Sequence, residues 1–315
     1  MHGRNLLRMA AAGAAILAGA MGSRAALPPL NHPSSKTANP GKFEWADLYT
    51  GDLETAEQFY TGLFGWSASA SSDPRSYKDP KGGHKREYIV LSENGVPVAG
   101  LVQRSGPVSK TEHPARWVGY FAVSNLAASL KSVTAAGGKV ASSEHRVPDR
   151  GKQAIIVDPD GAVVGLLQSS SGDLADRDPA AGQWLWFELY SQDPKTAGVF
   201  YQRAFNYEFG PDSKSDKPDH YFLTSGARAR AGITSLHFAG AKPDWLGFVR
   251  VDDLEGSLSK VKSLGGEVVV PTQQSRSESR FALVSDPTGG VFGLVQFPGN
   301  AAEAARSATS QPTAP

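Results

Sequence analysis

The sequence predicts an α+β protein of two homologous domains in tandem, each reading β-α-β-β-β twice. The first observation is an internal repeat. Phe43–Tyr49 (FEWADLY) reappears as Trp184–Tyr190 (WLWFELY), Phe59-Tyr60 as Phe200-Tyr201, and Leu63–Trp66 as Ala204–Tyr207, all at an offset of 184 − 43 = 141. Trp117–Val123 reappears as Trp245–Val251, Gly137-Gly138 as Gly265-Gly266, Asp158–Gly161 as Asp286–Gly289 and Gln168 as Gln296, at 245 − 117 = 128. The fall from 141 to 128 means that the second copy is about 13 residues shorter in its intervening loops. Such ordered self-similarity marks duplicated domains, here 41–170 and 182–298.

The second observation is the alternation of periods. Phe43–Tyr49 alternates as a strand does. Apolar residues at 53, 56, 59, 60, 63 and 64 then follow a helical period, with Asp52 placed as N-cap and Gly65 as C-cap. Strands follow at Glu87–Leu91 and Val98–Gln103. A second strand at Val118–Val123 leads into a helix at Leu126–Ala136, stopped by Gly137-Gly138. Strands at Gln153–Val157 and Ala162–Gln168 are joined by the turn Asp158-Pro-Asp-Gly161.

The third observation is the composition of what lies between. Segment 26–40 is rich in Pro, Ser and Asn, 171–181 is polar, and 299–315 is rich in Ala, Ser and Pro, so a flexible lead, linker and tail are expected. Residues 1–25 read differently. Arg4 and Arg8 precede the apolar run Met9–Met21, and Ser23-Arg24-Ala25 places small residues for a cut before Ala26, the layout of a secretory signal peptide. The expected mature protein is exported, periplasmic or secreted, and has no membrane span. Net charge is 32 − 31 = +1 for the whole chain and 29 − 31 = −2 without the leader, which argues against a nucleic-acid surface. With no cysteine, disulfides, thiol nucleophiles and Cys-based metal sites are excluded. No GxSxG, P-loop or strand-borne GxGxxG is present.

The doubled β-α-β-β-β module, the FYxxLFGW helix motif (Phe59–Trp66), the double glycine and the DPxG turns together resemble the vicinal oxygen chelate superfamily. That superfamily includes glyoxalase I, bleomycin-resistance proteins and extradiol dioxygenases. The resemblance spans both domains. It implies a curved, partly open mixed sheet around a cleft in each, and it leaves the reaction open because the fold hosts metal enzymes and metal-free binders alike. Metal-dependent members take ligands from the first strand of each module and from the last strand. The resemblance places Asp47 and Glu188, Val118 and Leu246, and Gln168 and Gln296 at those positions. A carboxylate, an aliphatic residue and an amide per domain are a poor divalent set. No metal cofactor is therefore expected, a divalent-metal enzyme being the alternative. His84, His113, His145, His220 and His237 fall outside these positions and are read as solvated or hydrogen-bonded.

Strand alternation places Phe43, Trp45, Asp47 and Tyr49 on one face, and Trp184, Trp186, Glu188 and Tyr190 on the equivalent one. By the resemblance these faces line the clefts, with Tyr120 and Gln168 in the first and Phe248, Arg250 and Gln296 in the second. Two readings stand: an aromatic pocket for a small apolar or aromatic molecule, or a core or protein-interaction surface. Glu188 is the candidate catalytic base, its pKa expected to rise on burial unless Arg250 pairs with it.

Overall fold

The computed structural model describes residues 27–70, 88–104, 114–212, 220–238, 240–274 and 279–297. The leader 1–25 and the tail 299–315 lie outside them.

The first copy runs β1 (Phe43–Thr50), α1 (Leu53–Phe64), β2 (Ser67–Ala70), β3 (Tyr88–Glu93), β4 (Val96–Gln103), β5 (Arg116–Ala122), α2 (Leu126–Ala135), β6 (Lys139–Val147), β7 (Gly151–Val157) and β8 (Val163–Ser169). The second repeats it: β9 (Trp184–Ser191), α3 (Pro194–Phe205), β10 (Glu208–Pro211), β11 (His220–Ser225), β12 (Arg228–Ser235), β13 (Asp244–Arg250), α4 (Leu254–Ser263), β14 (Glu267–Gln274), β15 (Arg280–Ser285) and β16 (Val291–Gln296). Each copy forms its own eight-stranded sheet, in the orders β2-β3-β4-β1-β5-β8-β7-β6 and β10-β11-β12-β9-β13-β16-β15-β14. The two modules of a domain meet where β1 pairs antiparallel with β5, and β9 with β13. The strands beyond the sequence expectation, β2 and β6, supply the third β of each module.

Helix α1 begins and ends where its capping residues dictate. Asp52 accepts from the Thr55 backbone N–H, and Gly65 takes the left-handed conformation at φ 73°. In the repeat, Asp193 caps α3 in the same way and Asn206 takes the left-handed position at φ 59°.

The helix-side faces of both sheets share one hydrophobic core, whereas the two opposite faces carry separate apolar clusters. Helix α1 packs on α4, and α2 on α3, so the domains join through their helices. The repeated aromatic motif builds that joint. The Tyr60 hydroxyl donates to Asp286 at 2.7 Å and accepts from Trp117 Nε1 at 2.8 Å. Its equivalent Tyr201 donates to Asp158 at 3.0 Å and accepts from Trp245 Nε1 at 2.8 Å. Arg116 and Asp244, equivalent to each other in the repeat, form an ion pair at 2.5 Å. Each domain's DPxG turn thus receives the other's tyrosine, and an equivalent pair meets between them, as a pseudo-two-fold arrangement requires.

Two details depart from the sequence reading. Bulges in β1 at Glu44 and in β9 at Leu185 break the alternation beside Phe43 and Trp184. Both rings therefore turn out of the cleft faces into the joint, where Phe43 stacks on Phe187 with centroids 4.2 Å apart and Trp184 Nε1 donates to Val98 O. The lead and linker, read from composition as flexible, are tied to each other: Ser35 N donates to Ser171 O, and the Asn31 amide nitrogen to Gly172 O and Asp173 O. Backbone polar groups that find partners inside the protein can order a segment with little apolar surface of its own.

Candidate functional site

In the first cleft the strand face carries Trp45, Asp47 and Tyr49 from β1, Tyr88 from β3, and Val118 and Tyr120 from β5, all buried. Asp47 Oδ1 accepts from Trp45 Nε1 at 2.7 Å and from the Tyr88 hydroxyl at 2.6 Å. The Tyr49 and Tyr120 hydroxyls lie 2.8 Å apart. Burial raises the Asp47 pKa, and the Tyr88 and Trp45 hydrogen bonds oppose that rise. Gly100 on β4 makes room for this cluster, since a Cβ there would collide with the Tyr88 hydroxyl and Asp47. Leu27 of the lead joins the same apolar cluster, and the Arg150 guanidinium lies 3.7 Å over the Trp45 ring. This cleft is filled by the protein's own side chains.

The second cleft has the same frame with different contents. Glu188 takes the place of Asp47, and Trp186 Nε1 donates to its Oε2 at 2.8 Å. Gly232 on β12 plays the part of Gly100, its missing Cβ leaving space for the carboxylate. Where the first copy has Tyr88, the second has His220 (220 − 88 = 232 − 100 = 132). His220 Nε2 lies 3.2 Å from Glu188 Oε1, and its Nδ1 lies 3.0 Å from Asp212 Oδ2. Burial opposes protonation of this imidazole, but the hydrogen bonds and charge of Glu188 and Asp212 outweigh it and push the pKa up to about 9. At neutral pH an imidazolium therefore bridges two carboxylates. Phe222 meets both Trp186 and His220 edge-on, at 6.0 and 5.1 Å between centroids. Trp186, Tyr190, Phe222, Phe238 and Phe281 are only half-buried, so this aromatic wall reaches solvent where the first does not.

Of the residues predicted to line the clefts, Trp45, Asp47, Tyr120, Trp186, Glu188 and Phe248 do so. Gln168 and Gln296 do not. Cleft-facing residues of β8 are Val163 and Leu167, and Val164 and Leu166 face the helices, which puts Gln168 on the helix side. There its Oε1 accepts from Leu126 N at 3.0 Å, and Gln296 Oε1 accepts from Leu254 N at 3.1 Å, so each amide caps the helix of its own module. Arg250 does not reach Glu188: its Nη1 donates to Pro179 O of the linker at 2.8 Å. The partner of Glu188 is His220, which the sequence reading left as a solvated or hydrogen-bonded residue. The signal that marks it is the third repeat offset of 132, visible once Tyr88 and His220 are aligned.

The residues present do not fit a divalent metal. Glu188 Oε2 accepts from Trp186, its Oε1 lies within ion-pair distance of His220 Nε2 without a well-aligned hydrogen bond, and His220 Nδ1 turns to Asp212, so these groups form a chain instead of converging on one point. Leu246, Phe248 and Val295 face them. In the first cleft Asp47 is surrounded by Val118, Tyr120 and Leu167. Among the described residues, no group of three or more His, Cys, Asp or Glu could hold a metal ion.

The paired modules, the doubled domain and the clefts define a vicinal oxygen chelate fold. The chain belongs to the glyoxalase/bleomycin resistance protein/dioxygenase superfamily, whose description matches residues 42–166. It is 31% identical over 274 residues to the anthracycline biosynthesis protein DauV of Streptomyces sp. strain C5, covering 82% of this chain and 94% of that one. It is 29% identical over 265 residues to CFP32 of Mycobacterium tuberculosis, named as a candidate glyoxylase, covering 84% of this chain and 98% of that one. Among solved structures, the Mn(II)-bound glyoxalase of Novosphingobium aromaticivorans superposes with a TM-score of 0.56 at 17% identity, covering 82% of each chain. An extradiol ring-cleaving dioxygenase of B. fuscum superposes with a TM-score of 0.55 at 14% identity, covering 92% of this chain and 78% of that one. At these identities the structural likeness shows the fold alone.

Proposed function

We propose that this protein is an exported binder of a small apolar or aromatic molecule, that the second cleft is its ligand site, and that it works without a resident metal. The observation that carries this is the difference between the clefts. The first is closed by buried tyrosines, Arg150 and Leu27. The second keeps a half-exposed wall of Trp186, Tyr190, Phe222 and Phe281 around a buried carboxylate. Apolar walls with one convergent polar group are what a small-molecule pocket needs. Glu188 supplies the acceptor for a ligand hydroxyl, and His220 holds that carboxylate in place. The relative named for anthracycline biosynthesis supports flat aromatic molecules as the class. Export rests on the basic, apolar and small-residue order of residues 1–25.

A second reading is favoured by the Asp212–His220–Glu188 chain: an acid–base enzyme in which Glu188 takes a proton from the ligand. Calorimetric titration with 1-naphthol, an aromatic with a single hydroxyl, tests the binding reading. Trp186→Ala should abolish the heat of binding, and retention of wild-type affinity in that variant contradicts the site. Turnover of an added aromatic hydroxy-ketone that is lost in Glu188→Gln would favour the enzyme.

A further inference from the structure

Arg150 has no exposed surface, and yet its two terminal nitrogens, Nη1 and Nη2, have no hydrogen-bond partner among the described residues. Its Nε donates to Pro28 O at 2.8 Å, and its planar group lies 3.7 Å over the Trp45 ring. These two contacts fix the guanidinium plane and leave its Nη edge free. Stacking on an aromatic face compensates a buried charge only in part, and the unpaired Nη edge keeps the cost of its lost hydration. Asp47 and Glu44 act on Arg150 through space, but their hydrogen bonds go elsewhere. Asp47 Oδ1 is held by Trp45 and Tyr88, and Glu44 Oε1 accepts from Leu174 N, while Glu44 Oε2 is buried without a partner and makes no hydrogen bond to the Arg150 Nη edge. Burial, reinforced by the charge of Asp173, pushes Glu44 up to about 8, so at neutral pH it is mostly protonated and does little to neutralise the arginine. Gln153, on the cleft face of β7, presents a further buried and unpartnered donor, Nε2.

We propose that the first cleft is a strapped binding site for a small monocarboxylate, gripped by Nη1 and Nη2 of Arg150. The fork of two parallel N–H groups matches the two oxygens of a carboxylate, which a single ammonium does not. Trp45 and Tyr120, buried in the same cluster as Leu27, face the short organic body once the strap lifts. Residues 27–30 form the strap. Leu27 packs into the cleft cluster, its N–H donates to Pro148 O at 3.2 Å, and Pro28 O meets Arg150. Asn31, with its amide on Gly172 O and Asp173 O, anchors the strap at its downstream end. A ligand enters when Leu27 and Pro28 lift and Arg150 stays on Trp45. This site is independent of the second cleft, and neither proposal depends on the other.

The test uses the full-length protein and acetate as the probe, with chloride at matched ionic strength as the reference. The melting temperature of the wild type should rise with acetate and not with chloride, as for any ligand that binds only the folded state. Arg150→Lys should weaken the acetate response at least about tenfold, and Arg150→Met should abolish it. If Arg150→Met does not fold, the Lys variant carries the comparison. Leu27→Ser should speed acetate association and leave the arginine in place. A crystal structure grown in acetate should show the anion on Nη1 and Nη2. A wild type that responds equally to acetate and chloride, an unchanged response in Arg150→Lys, or a structure showing water or a rotated Glu44 on the Nη edge overturns the proposal.

Discussion

Tyr60 and Asp286 are 226 residues apart in the chain and 2.7 Å apart in the fold. Their equivalents Tyr201 and Asp158 repeat the bond from the opposite domain at 3.0 Å. The motifs that reveal the duplication in the sequence are thus the ones that clamp the two copies together. Burial and the charge of Asp286 hold the Tyr60 hydroxyl well above its ordinary pKa, so it stays a donor throughout the working pH range.

Tyr60→Phe removes that donor and leaves the Asp286 carboxylate and the Trp117 N–H short of a partner in a buried joint. The expected loss of stability is about 1–3 kcal/mol, read by urea denaturation. Tyr201→Phe should cost a similar amount. A change within about 0.5 kcal/mol, typical of a surface substitution, would show that the clamp contributes nothing.

His220 should titrate near 9, because Glu188 and Asp212 outweigh the effect of burial. The unfolded value is about 6.5, so the folded state binds this proton more tightly. The resulting stabilisation is complete below about pH 6.5 and is lost as pH rises through about 9. Histidine NMR checks the midpoint. Glu188→Gln should move it downwards, and an unchanged midpoint would break the proposed pairing.

Gly232→Ala places a Cβ against Glu188 Oε2. The variant should fold and lose affinity for 1-naphthol, because the carboxylate must move. Gly100→Ala in the closed first cleft should instead cost stability, about 1–3 kcal/mol for overpacking, with naphthol binding intact. Equal loss of binding in both variants would contradict the assignment of one open cleft.

Gln296→Leu removes the side-chain acceptor for Leu254 N. A lost helix cap costs about 1 kcal/mol, and ligand affinity should be unchanged because this amide lies on the helix side. A loss of affinity without a loss of stability would return Gln296 to the cleft.

The fold was legible because it rests on local periodicity and on repetition: caps such as Asp52 and Gly65, and offsets shared by whole motifs. The site was less legible because its contents depend on which face of a strand a residue meets. A slip of one residue exchanges the faces, and that is what separates Gln168 from its cleft-lining neighbour Leu167. Bulges at Glu44 and Leu185 shift the phase again. Glu188 was legible from its place on β9, but His220 was not, because it reaches the carboxylate across the sheet from β11. Arg250, two residues along from Phe248 on the cleft-facing side of β13, is drawn away by a linker carbonyl that composition alone did not place there.

The most direct measurement of the central claim is a crystal structure of the protein with 1-naphthol, paired with its calorimetric stoichiometry. One molecule per chain is predicted, its ring against Trp186 and Phe222 and its hydroxyl donating to Glu188. Naphthol seated on Trp45 in the first cleft, or no bound naphthol at saturating concentration, would contradict it.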